Sequence, residues 1–411
     1  MNREPYSSQL LRFVMLASVR SAALARFVLL FAVMYAAFGV ASPFLPAFLS
    51  AHGLQPEQIG VVLAAATAVR LISGPAAGRL ADRLAALPVV LSACAALAAV
   101  AALCFLPAFG FLLLLLVGLS HAAALAPTTT IADALAVNAA VRARRGFEYG
   151  WVRGAGSVAF IVGSILSGQA IGAFGLNAII WLQAGLLGAA ACCVMTVPDL
   201  ASRRTERADR AEPTPGIGVL LALPLFRRLV VIAALVLGSH AMHDTFAVIR
   251  WSAAGISPAT ASVLWSEAVA AEVIVFFLVG PALVDRLGPA GAMAAAAAAG
   301  TLRWIVMALT ADVVALALVQ PLHGLTFALL HLACMRLLAR IVPAGLAATA
   351  QAIYGTLAVG AATAGLTLLS GFFYGRIEAH GFWVMAALCA LALPLTWRMA
   401  ADTTPRTNRG S

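Results

Sequence analysis

The chain has 411 residues, of which 63% are hydrophobic and 10% charged, and its mean hydropathy is +0.99. A soluble domain averages about 45 to 50% apolar and about 25% charged residues, so this composition excludes a soluble enzyme, a disordered chain and a disulfide-stapled secreted domain. The formal net charge is +10, and all 26 basic residues are arginine. At about 20 residues per span, twelve membrane helices would use most of the apolar residues.

Apolar stretches bounded by charges, glycine or proline predict twelve membrane helices. Their expected limits are 24–50, 57–81, 87–107, 109–138, 149–174, 176–197, 226–254, 258–284, 289–310, 312–340, 344–376 and 380–400. A basic segment, 1–23, is expected to be an amphipathic cytoplasmic lead, and 401–411 a cytoplasmic tail. Residues 198–224 are rich in charge and proline, which predicts a cytoplasmic linker between two six-helix bundles, 24–197 and 225–400.

Arginine residues collect in the N-terminal segment and in alternate loops, while the other loops hold few. Basic residues flank membrane helices on the cytoplasmic side. The distribution therefore predicts that both chain termini are cytoplasmic, and it explains the positive net charge without a nucleic-acid partner. The six cysteines lie in apolar runs without metal-ligand spacing, so the sequence predicts no metal and no cofactor.

The two predicted bundles repeat each other at a spacing of 202 to 205 residues. The loop 51–56 recurs at 253–258, residues 81–84 at 284–287, 149–150 at 354–355, and 166–168 at 369–371. Four landmarks at one spacing indicate an internal duplication. Six-helix repeats of this kind place a substrate site at their interface and alternate access by rocking. Glycine-rich runs in the fifth and eleventh helices suit either static packing or the seam of that motion.

Ionisable residues inside the first bundle are candidates for function. Each costs roughly 2.5 to 3.5 kcal/mol at mid-helix on insertion scales. Asp133 and Arg153 lie at equal depth in neighbouring helices and are expected to pair, either as a structural ion pair or as a site in which Arg153 also receives an anionic substrate. Arg70 lies mid-span in the second helix, where it would balance buried acids or contact an anion.

The second bundle carries acids and histidines instead of a cation matching Arg153. Counted from the loop between helices seven and eight, Asp244 and Glu267 lie at one depth, and His240 and Glu272 at a greater depth. We expect Glu272 to be the principal proton site and His240 its partner, because a low-dielectric helix seam disfavours an ionised carboxyl. Asp244 and Glu267 would belong to the same cluster or lie in water near the outer vestibule.

Three further polar residues lie mid-span in the second bundle. His323 and His331 are eight residues apart and lie on roughly one face of the tenth helix. They are expected to act either as proton carriers or as interhelical hydrogen-bonding groups. Arg303 lies in the ninth helix. Nearby aromatic residues would suit an aromatic substrate and equally suit ordinary packing: Phe246, Trp265 and Phe327.

The six-plus-six repeat and the loop after the second helix resemble the major facilitator superfamily. The loop reads Gly78-Arg79-Leu80-Ala81-Asp82-Arg83 and lacks the glycine and basic pair that usually follow. Further motifs look like the phenylpropionate-transporter branch, which is similar to the nucleoside and lactose proton symporters: Asp133-Ala134-Leu135, Tyr149-Gly150-Trp151-Val152-Arg153, Ala271-Glu272-Val273 and Gln351-Ala352-Ile353-Tyr354. The resemblance implies an all-α, twelve-helix monomer of the cell inner membrane. We expect conformational gating at four loop residues, namely Asp82, Arg83, Asp285 and Arg286.

These observations favour a secondary active transporter over an enzyme. The predicted activity is proton-coupled uptake of a small organic solute by alternating access, with an aromatic carboxylate such as phenylpropionate as the leading candidate. A drug/proton antiporter is the first alternative, although helix five lacks the Gly-Pro motif usual in that group, and a sugar or nucleoside symporter is the second. A non-transporting receptor or an intramembrane hydrolase is remote, because neither a sensor domain nor a catalytic constellation is evident.

Overall fold

The computed structural model describes residues 6–143, 148–197, 217–343 and 345–403, and the described part is mainly helical, without a strand. Most of the predicted linker and the end of the predicted tail lie outside the described residues. We number the membrane helices α1 to α12 along the chain.

Five of the first six membrane helices follow the predicted limits closely, whereas α1 begins and ends earlier than the predicted 24–50. The six helices are α1 (Tyr6–Ala41), α2 (Pro56–Leu84), α3 (Leu87–Leu103), α4 (Phe111–Ala143), α5 (Tyr149–Phe174) and α6 (Ala178–Val194). The helix α1 begins inside the segment predicted as a cytoplasmic lead, and a short helix, Leu45–Ala51, connects α1 to α2. Proline at the first turn of α2 suits a helix start, because its missing N–H would have no helical partner there.

The last six membrane helices are less regular. After a short helix, Ile217–Ala222, α7 comprises Pro224–Gly238 and His240–Ala253, α8 begins at Pro258, α10 comprises four short segments between Val313 and Ile341, α11 spans Ala347–Ile353, Tyr354–Ala361 and Ala362–Ile377, and α12 is Gly381–Thr403. The helix α8 runs through Val275–Val279 to a kink at Gly288, where φ is +68°, and α9 continues from there to Leu309. Glycine tolerates this left-handed backbone because it has no Cβ.

Eight helical stretches of the described chain are long and apolar enough to cross a membrane. Two of them exceed 50 residues, and each contains two helices, α8 with α9 and α11 with α12. The apolar helices α3 and α6, with 17 residues each, complete the set. The prediction of an all-α membrane protein with twelve membrane helices is therefore confirmed.

Three π-helical segments occur in the described chain, all within the last six helices. They are Val275–Val279 in α8, Gly324–Leu329 in α10 and Tyr354–Ala361 in α11. The helix α7 is also interrupted, at Ser239. Such departures from α-helical geometry are frequent at functional sites, and here they surround the ionisable residues of the second bundle.

The closest approaches between the two bundles lie near one face of the membrane, which we call the sealed face; it carries the connections 52–55 and 254–257. A Cβ added to Gly371 of α11 would lie 2.7 Å from the carbonyl oxygen of Pro56 in α2, and one added to Gly168 of α5 would lie 2.5 Å from that of Pro258 in α8. Gly168 and Gly371 are 203 residues apart, and Pro56 and Pro258 are 202 apart. The sequence repeat therefore produces two equivalent backbone contacts.

The opposite face, which we call the linker face, carries the connection between α4 and α5. Along the parts of α2, α5 and α11 nearest to it, a Cβ would meet nothing within 4 Å at Gly74, Gly78, Gly150, Gly154 or Gly355. The bundles thus pack closely at the sealed face and loosely toward the linker face.

The four residues expected to gate transport are exposed on the linker side. Asp285 pairs with Arg336 at 2.6 Å, and both side chains are exposed. Asp82, Arg83 and Arg286 have no ion-pair partner among the described side chains. Their assignment to gating stays a prediction.

Candidate transport site

Asp133 of α4 and Arg153 of α5 form the contact predicted from their equal depth. Arg153 Nη1 lies 3.8 Å from Asp133 Oδ1, and the two side chains are 38% and 36% exposed. Tyr149 donates its hydroxyl hydrogen bond to the same Asp133 oxygen at 2.7 Å. Arg153 also donates to the hydroxyl of Tyr35 in α1, with its guanidinium carbon 5.1 Å from the centre of that ring. We call these four residues the anion cluster.

The anion cluster leaves part of the guanidinium available. Arginine carries five N–H donors, and within this cluster Arg153 donates its hydrogen bond from Nη1. A half-exposed guanidinium with unused donors can receive a carboxylate in a bidentate arrangement. The sequence did not indicate Tyr35, because nothing in its surroundings shows that α1 faces α5 at this depth.

Arg70 lies apart from the anion cluster. Its side chain is exposed at the middle of α2, and among the described residues it has no hydrogen-bond or ion-pair partner. Its electrostatic neighbour is His121 of α4, which is buried and whose Nε2 has no hydrogen-bond partner in the described chain. The structure therefore does not bring Arg70 to the pair Asp133–Arg153.

Five residues of α7 to α10 form a chain of polar contacts, three hydrogen bonds and one ion-pair contact, which we call the central relay. Asp244 Oδ1 lies 3.0 Å from His243 Nδ1, and His243 Nε2 lies 3.3 Å from Arg303 Nη2. Arg303 Nη1 lies 3.1 Å from His323 Nδ1, and His323 Nε2 lies 3.4 Å from Glu272 Oε2. Two carboxyls are thus connected through two imidazoles and one guanidinium.

The middle of the central relay is buried and its ends are open. Arg303 is 0% exposed, whereas the Asp244 and Glu272 side chains are 52% and 30% exposed. The buried Gln320 lies beside Arg303, with Oε1 2.6 Å from Nη2. Trp304 packs its ring 4.6 Å from the guanidinium carbon. Arg303 is therefore a buried cation surrounded by neutral acceptors, with a carboxyl one imidazole away on each side.

The expected contact between His240 and Glu272 is absent from the described structure. His240 Nε2 lies 2.9 Å from Thr326 Oγ1, and Nδ1 lies 3.1 Å from the carbonyl oxygens of Val236 and Leu237. The interruption of α7 at Ser239 turns this imidazole toward those carbonyls, and His323 takes the place beside Glu272.

Glu267 also does not contact Asp244. It lies on the same stripe of α8 as Val263 and Ile274, which are 52% and 50% exposed. Equal depth predicted the pair, but depth does not fix the rotation of a helix about its axis. The stripe carrying Glu267 points away from α7, whereas Glu272 lies on the face toward α10.

A cavity of about 400 Å³ lies between α7, α10 and α11, beside the central relay. Its lining includes Phe327, His331, Gln351 and Tyr354. His331 Nδ1 lies 3.1 Å from the hydroxyl oxygen of Tyr354, so this histidine has an interhelical hydrogen bond. We call this space the α10–α11 cavity.

The other two aromatic candidates are packing residues. Phe246 is fully buried and stacks on Tyr374 with the ring centres 4.4 Å apart. Trp265 is buried and stacks on His243 with the ring centres 4.9 Å apart. Neither lines the α10–α11 cavity, whereas Phe327 does.

The anion cluster and the central relay are electrostatically coupled. Arg153 acts on Glu272 across the boundary between the two bundles, and so do His331 and Asp244 from within the second bundle. Glu272 is therefore within electrostatic range of Arg153 in the anion cluster and of His331, which lines the α10–α11 cavity. Among the described residues, no group of three or more histidines, cysteines or acids could hold a metal ion.

Comparisons with known proteins identify the family of the chain. The model of the MFS_1 like family matches residues 24–385. A probable 3-phenylpropionic acid transporter of Escherichia coli (strain K12) is 32% identical over 366 residues, which cover 87% of this chain and 92% of that protein.

Solved structures show the same fold. The nucleoside transporter NupG superposes with a TM-score of 0.76 at 16% identity, over 92% of this chain and 98% of that one. The POT family transporter PepTSo gives 0.70 at 13% identity, over 93% and 98%. These relatives and neighbours are transporters and not enzymes. The chain belongs to the MFS_1 like family and is a multi-pass membrane transporter of the major facilitator type.

Proposed function

We propose that the protein is a proton-coupled symporter that takes up a small aromatic carboxylate by alternating access. The observation that carries the proposal is that a partly exposed arginine of one bundle, Arg153, and a partly exposed acid of the other, Glu272, lie close enough to interact through space without being in contact. A site for an anion and a site for a proton then lie opposite each other at the boundary where alternating access occurs.

Arg153 is the proposed contact for the substrate carboxylate. Asp133 and Tyr35 hold the guanidinium in place and leave donors free. A planar guanidinium recognises a carboxylate through two parallel hydrogen bonds, which a lysine ammonium cannot reproduce.

The α10–α11 cavity is the proposed site for the substrate ring. Its volume of about 400 Å³ falls within the range of about 300 to 1,000 Å³ that is typical of small-molecule sites. Phe327 supplies an apolar wall, and Gln351 and Tyr354 supply polar groups. The relative from Escherichia coli is a probable transporter of 3-phenylpropionic acid, a molecule with one ring and one carboxylate.

The same geometry accounts for coupling. The positive charge of Arg153 attracts both the ionised Glu272 and a substrate anion. Once an anion occupies Arg153, that charge stabilises the ionised Glu272 less, so binding of the anion and of a proton favour each other. By linkage this effect is reciprocal.

The proposed orientation places the linker face and both chain termini in the cytoplasm of a bacterial cell, with the protein in the inner membrane. It is supported by the arginine residues of the N-terminal segment and of the alternate loops. In this orientation the described conformation is closed toward the outside.

The test is uptake by proteoliposomes that contain the purified protein. Labelled 3-phenylpropionate, a sugar and a nucleoside are offered with and without a proton gradient that is acidic outside. We expect gradient-driven accumulation of the aromatic acid, its loss in Arg153→Ala, and normal uptake by Arg376→Ala, whose guanidinium lies 3.6 Å from the Phe372 ring and outside both clusters. Stimulation by the opposite gradient would show antiport, and accumulation of the sugar or the nucleoside alone would overturn the substrate class.

A further inference from the structure

The central relay fixes which nitrogen of each histidine carries a proton. A guanidinium can only donate hydrogen bonds and stays charged in proteins. The two ring nitrogens that face Arg303 are Nε2 of His243, at 3.3 Å, and Nδ1 of His323, at 3.1 Å. Both must therefore be unprotonated acceptors.

The remaining nitrogen of each ring then carries the hydrogen. His243 donates from Nδ1 to Asp244 at 3.0 Å, and the Nε2–H of His323 faces Glu272, whose Oε2 lies 3.4 Å from that nitrogen. Gln320 independently agrees with this assignment: its Oε1 accepts from Arg303 at 2.6 Å, so its amide nitrogen, 3.3 Å from His243 Nε2, donates to the same acceptor. The two histidines are thus neutral and in opposite tautomers.

We propose that Arg303 is a positioning residue that holds His243 and His323 neutral in opposite tautomers, so that the transported proton resides on a carboxyl at an end of the central relay. An imidazolium at either position would direct an N–H at an N–H of Arg303 and place two cations together in a buried site. The inference deepens the proposed function and rests on it only for the identity of the transported proton.

Among the described residues, Arg303 has no direct contact with a carboxylate. On α7 it is faced by His240 and His243, with Asp244 behind His243; on α10 by Gln320 and His323; and on α12 by the thiol of Cys389. Asp244 acts on Arg303 through space and accepts a hydrogen bond from His243. The neutral imidazoles are therefore the groups that separate the guanidinium from both carboxyls.

The same geometry prevents a proton from passing between the two carboxyls. A proton leaving Asp244 would have to bind His243 Nδ1, which already carries one. An imidazole passes on a proton by accepting one at one nitrogen and releasing one from the other. His243 cannot do this, because its Nε2 carries no proton to release and is surrounded by hydrogen-bond donors. Because all hydrogen bonds point outward from Arg303, Asp244 and Glu272 exchange protons with water separately.

The assignment is testable by ¹⁵N NMR of histidine-labelled protein in lipid bilayers, with each signal identified by its loss in His243→Asn or His323→Asn. At about pH 5.5, one unit below the ordinary imidazole value, we expect His243 to be protonated at Nδ1 only and His323 at Nε2 only. A charged ring, or the same tautomer in both, would overturn the proposal. The wild-type spectrum decides this whether or not any variant at position 303 folds.

Two substitutions then test whether Arg303 is the cause. Arg303→Lys keeps a cation that only donates, so both rings should stay neutral. Arg303→Gln introduces an acceptor oxygen and removes the charge, so at least one ring should become charged at the same pH, and the pH profile of phenylpropionate exchange should change with it. Unchanged histidine signals in Arg303→Gln would refute the role of Arg303. Failure of the proposed function would show itself differently, as wild-type protein with the expected tautomers but no proton-dependent uptake.

Discussion

Adding one methyl group at the sealed face should push the transporter out of the conformation described here. Gly168→Ala and Gly371→Ala each place a Cβ 2.5 to 2.7 Å from a proline carbonyl oxygen of the opposite bundle. At Gly371 the three nearest atoms are all backbone, so they cannot turn aside, whereas at Gly168 the added Cβ meets the Pro258 carbonyl oxygen and the side chain of Ser262. Matched controls are Gly172→Ala in α5 and Gly365→Ala in α11, where the same Cβ meets nothing within 4 Å.

The size of the effect follows from the contact. Overpacking by one methyl group typically costs about 1 to 3 kcal/mol, and a differential cost of that size shifts a two-state equilibrium about 5- to 150-fold. The gain in helix propensity from glycine to alanine, about 1 kcal/mol, applies in both conformations and in the controls. It therefore cancels in the comparison of Gly371→Ala with Gly365→Ala.

The measurement is the distance between spin labels across the sealed face. Labels at Ala51→Cys and Ala254→Cys, both exposed, report the separation of the two bundles when the six native cysteines have been replaced. We expect a longer distance to gain population in Gly168→Ala and Gly371→Ala and to stay at the wild-type level in both controls. The same distribution in all four variants would refute the claim that these backbone contacts hold the face closed.

Three further outcomes are expected from the proposed function. Arg153→Lys should raise the KM for an aromatic carboxylate at least about tenfold, because a hydrogen bond to a charged group is worth about 1.5 to 3 kcal/mol; an unchanged KM would reduce Arg153 to packing. Glu272→Gln, a mimic of the protonated carboxyl, should abolish accumulation against a gradient while exchange of labelled for unlabelled substrate continues; full pH-dependent accumulation would place the proton site elsewhere. Arg207→Cys should react in intact cells only with a membrane-permeant maleimide, and reaction with an impermeant one would reverse the topology.

The helices and the anion cluster were largely predictable from the sequence. Apolar length and bounding charges set the limits of all membrane helices except α1 within a few residues, because the bilayer thickness fixes how long a span must be. The equal depth of Asp133 and Arg153 in the membrane also predicted their contact, because α4 and α5 are adjacent in sequence and joined by a short connection.

The central relay was not predictable in the same way. Its contacts join α7, α8, α9 and α10, and their formation depends on how each helix is rotated. The break at Ser239 changes the direction of His240, and the outward stripe of α8 removes Glu267 from the cluster. The periodicity of an α-helix shows which of its residues share a face, but it does not show which neighbouring helix that face contacts.

The π-helical segment Val275–Val279 has a consequence for how the length of α8 can vary. Each residue of an α-helix turns the chain by about 100°, so deleting one normally rotates everything beyond it onto the wrong face. A wide turn already holds more chain than an α-helical turn needs. Loss of Leu278, which is 74% exposed, could be absorbed by tightening that turn, with Glu272 on one side and the Gly288 kink on the other keeping their present faces. We therefore expect α8 to tolerate a one-residue deletion at this turn more readily than within its α-helical part, Pro258–Ile274.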